Sequence, residues 1–147
     1  MRALALAAPL ILAASLASAL PFVSKTSPLD VATTMGRLVA AVEGAGASVA
    51  ARIDHAAAAQ KVGMELAPNQ VLIFGNPKLG TPMMQSAPSM GLDLPLKVQV
   101  YQDADGTVKV TYRDMGTVGA EHGADSPNVA KAAGALEKLT NKAIAAE

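Results

Sequence analysis

The spacing of apolar residues divides the chain beyond its first nineteen positions into a series of short elements. Leu20 to Lys25 alternates loosely and predicts a first strand. Ser27-Pro28-Leu29-Asp30 then reads as a helix start, with Ser at the N-cap, Pro at the first helical position and an acid near the positive end. Val31, Met35, Leu38, Val39 and Val42 fall on one helical stripe, which Gly44 ends. Ala47, Val49, Ala51 and Ile53 alternate with Ser48, Ala50 and Arg52, the pattern of a half-buried strand. Asp54 follows as the N-cap of "HAAAAQKVG", a short alanine-rich helix closed by Gly63.

Val71-Leu72-Ile73-Phe74 is the most apolar stretch of this region and predicts a central strand buried on both faces. In the Gly- and Pro-rich connection from Gly75 to Pro95, Thr81-Pro82 opens a short helix that Pro88 stops. Leu96–Tyr101 and Val108–Tyr112 alternate around "QDADGT", which predicts a hairpin with an Asp-Gly turn. Ser126-Pro127 opens the last helix, with Val129, Ala132, Ala133, Leu136, Leu139 and Ala143 facing inward. The order β-α-β-α-β-(α)-β-β-α describes an α+β fold, an antiparallel sheet with helices packed on one face.

The first nineteen residues carry a different pattern. Met1-Arg2 gives a short positive start, Ala3 to Leu16 is mostly apolar, and Ala17-Ser18-Ala19 supplies a small-x-small cleavage site. Those are the parts of a secretory signal peptide cut after Ala19. The expected product is residues 20–147, a single domain in the periplasm or secreted. No later apolar run approaches the roughly 20 residues of a membrane helix, so no membrane insertion is expected after cleavage.

The chain has no cysteine, which excludes disulfides, a lipoprotein anchor and thiol chemistry. Twelve basic residues balance twelve acidic ones, and loss of Arg2 with the leader leaves the product nearly neutral. With two Tyr, two Phe and no Trp it lacks the basic stripe and stacking platform of a nucleic-acid binder.

Asp54 and His55 stand side by side, and the chain has one other histidine, His122. In one reading Asp54 caps a helix and His55 is an exposed first-turn residue. In the other, His55 lines a cleft with His122 and Asn76, because an imidazole can bind a metal or move a proton near neutral pH. Asn76-Pro77-Lys78 is either a turn or a set of polar groups delivered beside the end of a strand. Asp93 is either an Asx turn or a carboxylate facing His55. "GNPKLGT" lacks the phosphate-loop pattern, and neither a G-x-S-x-G elbow nor an H-E-x-x-H helix occurs. "DADG" does not fit a calcium loop, since its Gly falls early and no glutamate closes it. Met83, Met84 and Met90 read as core or dimer contacts rather than ligands.

From Ala51 to Gly123 the chain resembles the family catalogued as domain of unknown function 302. The blocks that carry the resemblance are "ARIDHAAAA", "LIFGNPKLGTPMMQSAPSMGLDLPLKV", "DADGTVKVTY" and "EHG". The resemblance implies a TATA-binding-protein-like α+β architecture over residues 20–147 and brings no established reaction. Family members usually carry aromatics near Val49 or Ala50 and near Val108 or Lys109. They also carry a proline after Asp114, and this chain has none of these. Such changes alter a pocket wall and the approach to His122.

Three functions fit these residues. The first is a non-catalytic, exported small-ligand-binding domain, its cleft bordered by "RIDH", "FGNPK" and "LDLP". Its candidate contacts are Asp54, His55, Asn76, Lys78, Asp93 and His122, and its ligand a metal held by His55 and His122, or a b-type haem. The second is an enzyme with His55 as general base, oriented by an acid such as Asp93, acting on a small substrate. The third is a structural module that forms a homodimer and binds nothing small.

Overall fold

The computed structural model describes residues 21–146, so the expected signal peptide, its cleavage site and Leu20 lie outside the described residues. Five strands make one antiparallel sheet: β1 (Phe22–Ser27), β2 (Ser48–Asp54), β3 (Asn69–Gly75), β4 (Leu96–Gln102) and β5 (Val108–Arg113). Their order across the sheet is β1-β5-β4-β3-β2. Five helices complete an α+β architecture: α1 (Val31–Gly44), α2 (His55–Lys61), α3 (Pro77–Ser86), α4 (Met115–His122) and α5 (Pro127–Ile144). A 3-10 helix, Pro88–Leu92, links α3 to β4.

The sheet buries one face. Leu72 and Phe74 of β3, Leu96, Val98 and Val100 of β4, and Val110 and Tyr112 of β5 form the strand side of the core. Val31, Met35, Leu38 and Val42 of α1 meet them, and α5 packs on α1 through Ala132, Leu136, Leu139 and Ala143. On the opposite face Ser24, Thr111, Gln99 and Val71 lie in one row across β1, β5, β4 and β3. Val71 and Ile73 are only half-buried there. The expectation that Val71–Phe74 is buried on both faces is therefore corrected: β4, with its clean alternation, is the middle strand, and β3 lies between it and the edge strand β2.

Three helix starts differ from expectation. Asp30, not Ser27, caps α1, accepting from the Thr33 amide at 2.8 Å. Ser27 ends β1 opposite Val108. Its buried hydroxyl bonds Thr34 at 2.8 Å and accepts from the Leu29 amide, so it has no helix to cap. Helix α3 starts at Pro77 rather than at Pro82, because Asn76 takes the cap position four residues before Gly80. Residues 115–122 form the additional helix α4, capped by Asp114. The remaining helix starts agree, with Asp54 capping α2 and Ser126-Pro127 opening α5. So does the hairpin turn, where Gly106 adopts a φ of +85° that favours glycine.

Candidate functional site

The antiparallel ladder separates the candidate residues into two groups. Ser48, Gly75, Leu96 and Arg113 end or begin their strands at one end of the sheet. Asp54 and Gln70 pair at the other. Between Ser48 and His55 the extended chain of β2 covers roughly 20 Å. Asn76, Lys78, Asp93 and His122 belong to the first end, and Asp54 and His55 to the second.

At the first end a cleft of about 370 Å³ opens between β2, α3 and the segment Leu94–Leu96. Leu79, Met83, Met84 and Leu94 give it apolar walls, with Asn76 as a polar neighbour. The register of β2 against β3 shifts between Val49 and Ala51, leaving Ala50 unpaired on the cleft wall. A bulge on an edge strand commonly re-aims a side chain in this way. The Asn76 side chain accepts from the Lys78 amide at 2.9 Å as the cap of α3, so its carbonyl oxygen serves the helix. Lys78 itself is exposed. Two of the three segments expected around a cleft, "FGNPK" and "LDLP", are here, and "RIDH" is not.

Behind Leu94 a polar network begins at its neighbour Asp93. His122 Nε2 lies 2.8 Å from one carboxylate oxygen of Asp93, and its Nδ1 lies 2.9 Å from the Ser89 hydroxyl. Arg113 donates to the second Asp93 oxygen at 3.1 Å and to Glu121. The His122 side chain is 11% exposed and that of Asp93 17%, while Ser89 is open to solvent. Hydrogen bonding from His122, aided by the Arg113 charge, holds the Asp93 carboxyl below its ordinary range despite partial burial. Its bond to Glu121, ahead of the Asp93 charge, pushes the Arg113 guanidinium up.

The helices fix this geometry. Asp114 accepts from the amide and hydroxyl of Thr117, starting α4 directly after β5. Gly119 lets α4 lie close on α5, since a Cβ there would come 2.8 Å from Val129 Cγ1. Gly123, with φ at +64°, ends the helix just past His122. On the other side, Asp93 closes the 3-10 helix by donating its amide to the Met90 carbonyl. Gly91 of that helix packs by Met84, a residue of the cleft wall.

Two expectations about histidine are thereby corrected. Asp93 faces His122, not His55, because β2 carries His55 to the opposite end of the sheet. A metal shared by His55 and His122 is excluded by the same separation, and both ring nitrogens of His122 are already engaged. Among the described residues no cluster of three or more His, Asp or Glu side chains is arranged to hold a metal ion. Asp54 is a cap, accepting from the Ala57 amide at 2.9 Å and from Gln70. The His55 side chain is exposed and makes no hydrogen bond among the described residues. Ser89, Arg113 and Glu121 escaped the sequence reading. Two of them had a signal, Ser89 by its place in "LIFGNPKLGTPMMQSAPSMGLDLPLKV" and Glu121 by its place in "EHG".

The family model "Domain of unknown function DUF302" matches residues 23–146. The structure is similar to the "Crystal structure of uncharacterized conserved protein DUF302 from Bacillus stearothermophilus". The TM-score is 0.70 at 20% identity, covering 86% of this chain and 97% of that one, which shows a shared fold. Among curated proteins, "Fluoride-specific ion channel FluC 1" of Brucella suis biovar 1 (strain 1330) is 38% identical over 93 residues, 63% of this chain and 37% of that protein. The protein of the same name from Brucella abortus biovar 1 (strain 9-941) is equally similar over 34% of its length. The chain thus spans about a third of the length of these curated relatives.

Proposed function

This chain belongs to the DUF302 family, and from that premise we propose that it is an exported small-ligand-binding domain whose ligand enters the cleft between β2, α3 and Leu94–Leu96. The observation that carries the reading is the cleft itself, a concave site of about 370 Å³ with apolar walls and a few polar neighbours, Asn76 among them. Sites of this kind hold small organic molecules, with burial supplying affinity and the few polar groups fixing orientation. The ligand class shifts accordingly from a metal or haem to a small, largely apolar organic molecule. Ser48, Ala50 and Thr81 are exposed and form the mouth.

The fluoride-channel relatives fit the same reading. A channel must cross the bilayer, whereas no helix among the described residues is long and apolar enough to do so. Export rests on the leader-like residues 1–19. N-terminal sequencing of the protein from the producing cell should begin at Leu20, and a retained Met1 would overturn that part.

Ligand entry is tested by nuclear magnetic resonance with a library of small apolar fragments. Amide shifts should concentrate at Ala50, Asn76, Gly80 and Leu94, and an Ala50→Trp variant should lose them by filling the mouth. Fragments that bind elsewhere, or bind the variant equally well, would remove the cleft from consideration.

A further inference from the structure

We infer that Ser89, His122 and Asp93 form a nucleophile, base and orienting acid for cleavage of small acyl esters, with the acyl chain lying in the adjoining cleft. The acyl placement rests on the binding reading above, and the three-residue relay does not. The relay is carried by its geometry. Asp93 is an ionised acceptor, so the imidazole nitrogen 2.8 Å away, Nε2, must carry the proton. In a neutral ring that leaves the lone pair on Nδ1, which faces the Ser89 hydroxyl at 2.9 Å. The hydroxyl therefore donates to the histidine, the direction that nucleophilic attack requires.

The surroundings suit that task. Arg113, itself held by Glu121, donates to the Asp93 oxygen that the ring does not use, so the carboxylate holds His122 in one tautomer and orientation. Asp93 and Arg113 are positioning residues here, while Ser89 and His122 are the reacting groups. Ser89 is exposed, as a nucleophile must be, while His122 and Asp93 are largely covered. The Ser89 backbone N–H has no acceptor among the described residues and is available to an oxyanion. Constellations of this type are recognised by geometry and role rather than by motif, which is why the missing G-x-S-x-G elbow does not decide against it.

The chemistry balances within the chain and water. The Ser89 proton passes to His122 Nδ1 as Oγ bonds to the ester carbonyl carbon. The tetrahedral oxyanion then collapses, the bond to the alkoxy oxygen breaks, and the departing alcohol takes the proton from Nδ1. Water, deprotonated by Nδ1, attacks the acyl-Ser89 ester and releases the acid, and the proton returns to Ser89 Oγ. Asp93 accepts the Nε2–H bond throughout and stays ionised.

The test uses a fluorophosphonate probe and p-nitrophenyl esters of increasing acyl length on the full chain. Wild type should be labelled at Ser89, located by peptide mass spectrometry, and should hydrolyse the butyrate ester. Ser89→Ala, at an exposed position, should stay folded by circular dichroism and lose both signals. His122→Gln should slow hydrolysis about a hundredfold or more. Asp93→Asn should lower kcat and alter its pH profile, a signature that lost packing alone would not give. No label on Ser89, or a rate unchanged in Ser89→Ala, would overturn the relay and leave the binding reading standing. Labelling at Ser89 with the same chain-length preference in wild type and Ala50→Trp would support the relay and refute acyl placement in the cleft.

Discussion

The molecule holds two Asp–His neighbourhoods, one at each end of the sheet, and they behave in opposite ways. Asp54 and His55 are consecutive, yet the carboxylate turns back to the Ala57 amide while the imidazole points to solvent. Asp93 and His122 stand 29 residues apart and meet at 2.8 Å. The cause is local. At a helix start the N-cap side chain must reach the orphan amides, which draws it away from its successor. At the other end two different elements, the 3-10 helix Pro88–Leu92 and α4, converge on the mouth of β5 and bring their terminal side chains together. Adjacent residues at a helix boundary thus divide their duties, while converging helix ends combine theirs.

The scaffold beneath the second neighbourhood gives the largest test. Phe74 is 1% exposed and directly precedes Gly75 of the cleft. Phe74→Ala should cost about 3–5 kcal/mol in a denaturant melt, from lost burial plus the cavity left behind. Ile73→Ala, on the half-buried opposite face, should cost clearly less. Equal losses would mean that the sheet is covered on both sides and that the division of its faces is wrong.

Next in size is Asp93→Ala, which removes two charge-assisted bonds and leaves the His122 ring without its acceptor. Such bonds contribute about 1.5–3 kcal/mol each, discounted here because the Arg113 side chain is 45% exposed, so a loss of about 2 kcal/mol is expected. Acid should reveal the same interaction. The folded-state pKa of Asp93 is depressed, so its contribution is present above the ordinary carboxylate pKa and fades as pH falls through the lowered value. Urea melts from roughly pH 5 down to pH 2 should show wild type and Asp93→Asn converging. A gap that stays constant over that window would mean that the carboxylate charge plays no part.

The comparison also explains what the sequence disclosed. Period-two alternation revealed four of the five strands and a continuous apolar run the other, and Ser126-Pro127 and Asp54 announced their helices, because caps and pleats are local properties. Helix α4 was hidden. "MGTVGAEH" holds two glycines and two β-branched residues, poor helix formers whose cost is offset only when Met115, Val118 and Gly119 are buried. The apolar run Val71–Phe74 looked central, yet continuous hydrophobicity does not reveal which neighbours a strand acquires. The cleft was half legible, through the segments after β3 and before β4. The Ser89–His122–Asp93 contact was not, since no spacing rule links a 3-10 turn to the end of a helix 33 residues later. The adjacent pair drew the eye for the opposite reason, a proximity that the backbone then undoes.

At the first neighbourhood the effects shrink. Asp54→Ala should cost about 1 kcal/mol, the usual loss when an N-cap acceptor is removed, with Gln70 also losing a partner. Asp54→Asn should recover most of it, because an amide oxygen caps nearly as well. A loss in Asp54→Asn as large as in Asp54→Ala would show that the charge, and not the cap, matters there.

The smallest effect expected is the sharpest test of the contrast. His55 occupies the first position of α2, its side chain exposed and without a hydrogen bond among the described residues, roughly 20 Å of strand away from the cleft. His55→Ala removes no buried surface and places the best helix former at a helical position. Stability should therefore change by no more than about 0.5 kcal/mol. Fragment binding at Ala50 and Leu94, and fluorophosphonate labelling at Ser89, should both match wild type. His122→Ala runs the other way, because its ring joins two elements and is largely covered. If His55→Ala weakened labelling or fragment binding as much as His122→Ala does, the two ends of the sheet would be one site, and the separation imposed by β2 would have to be abandoned.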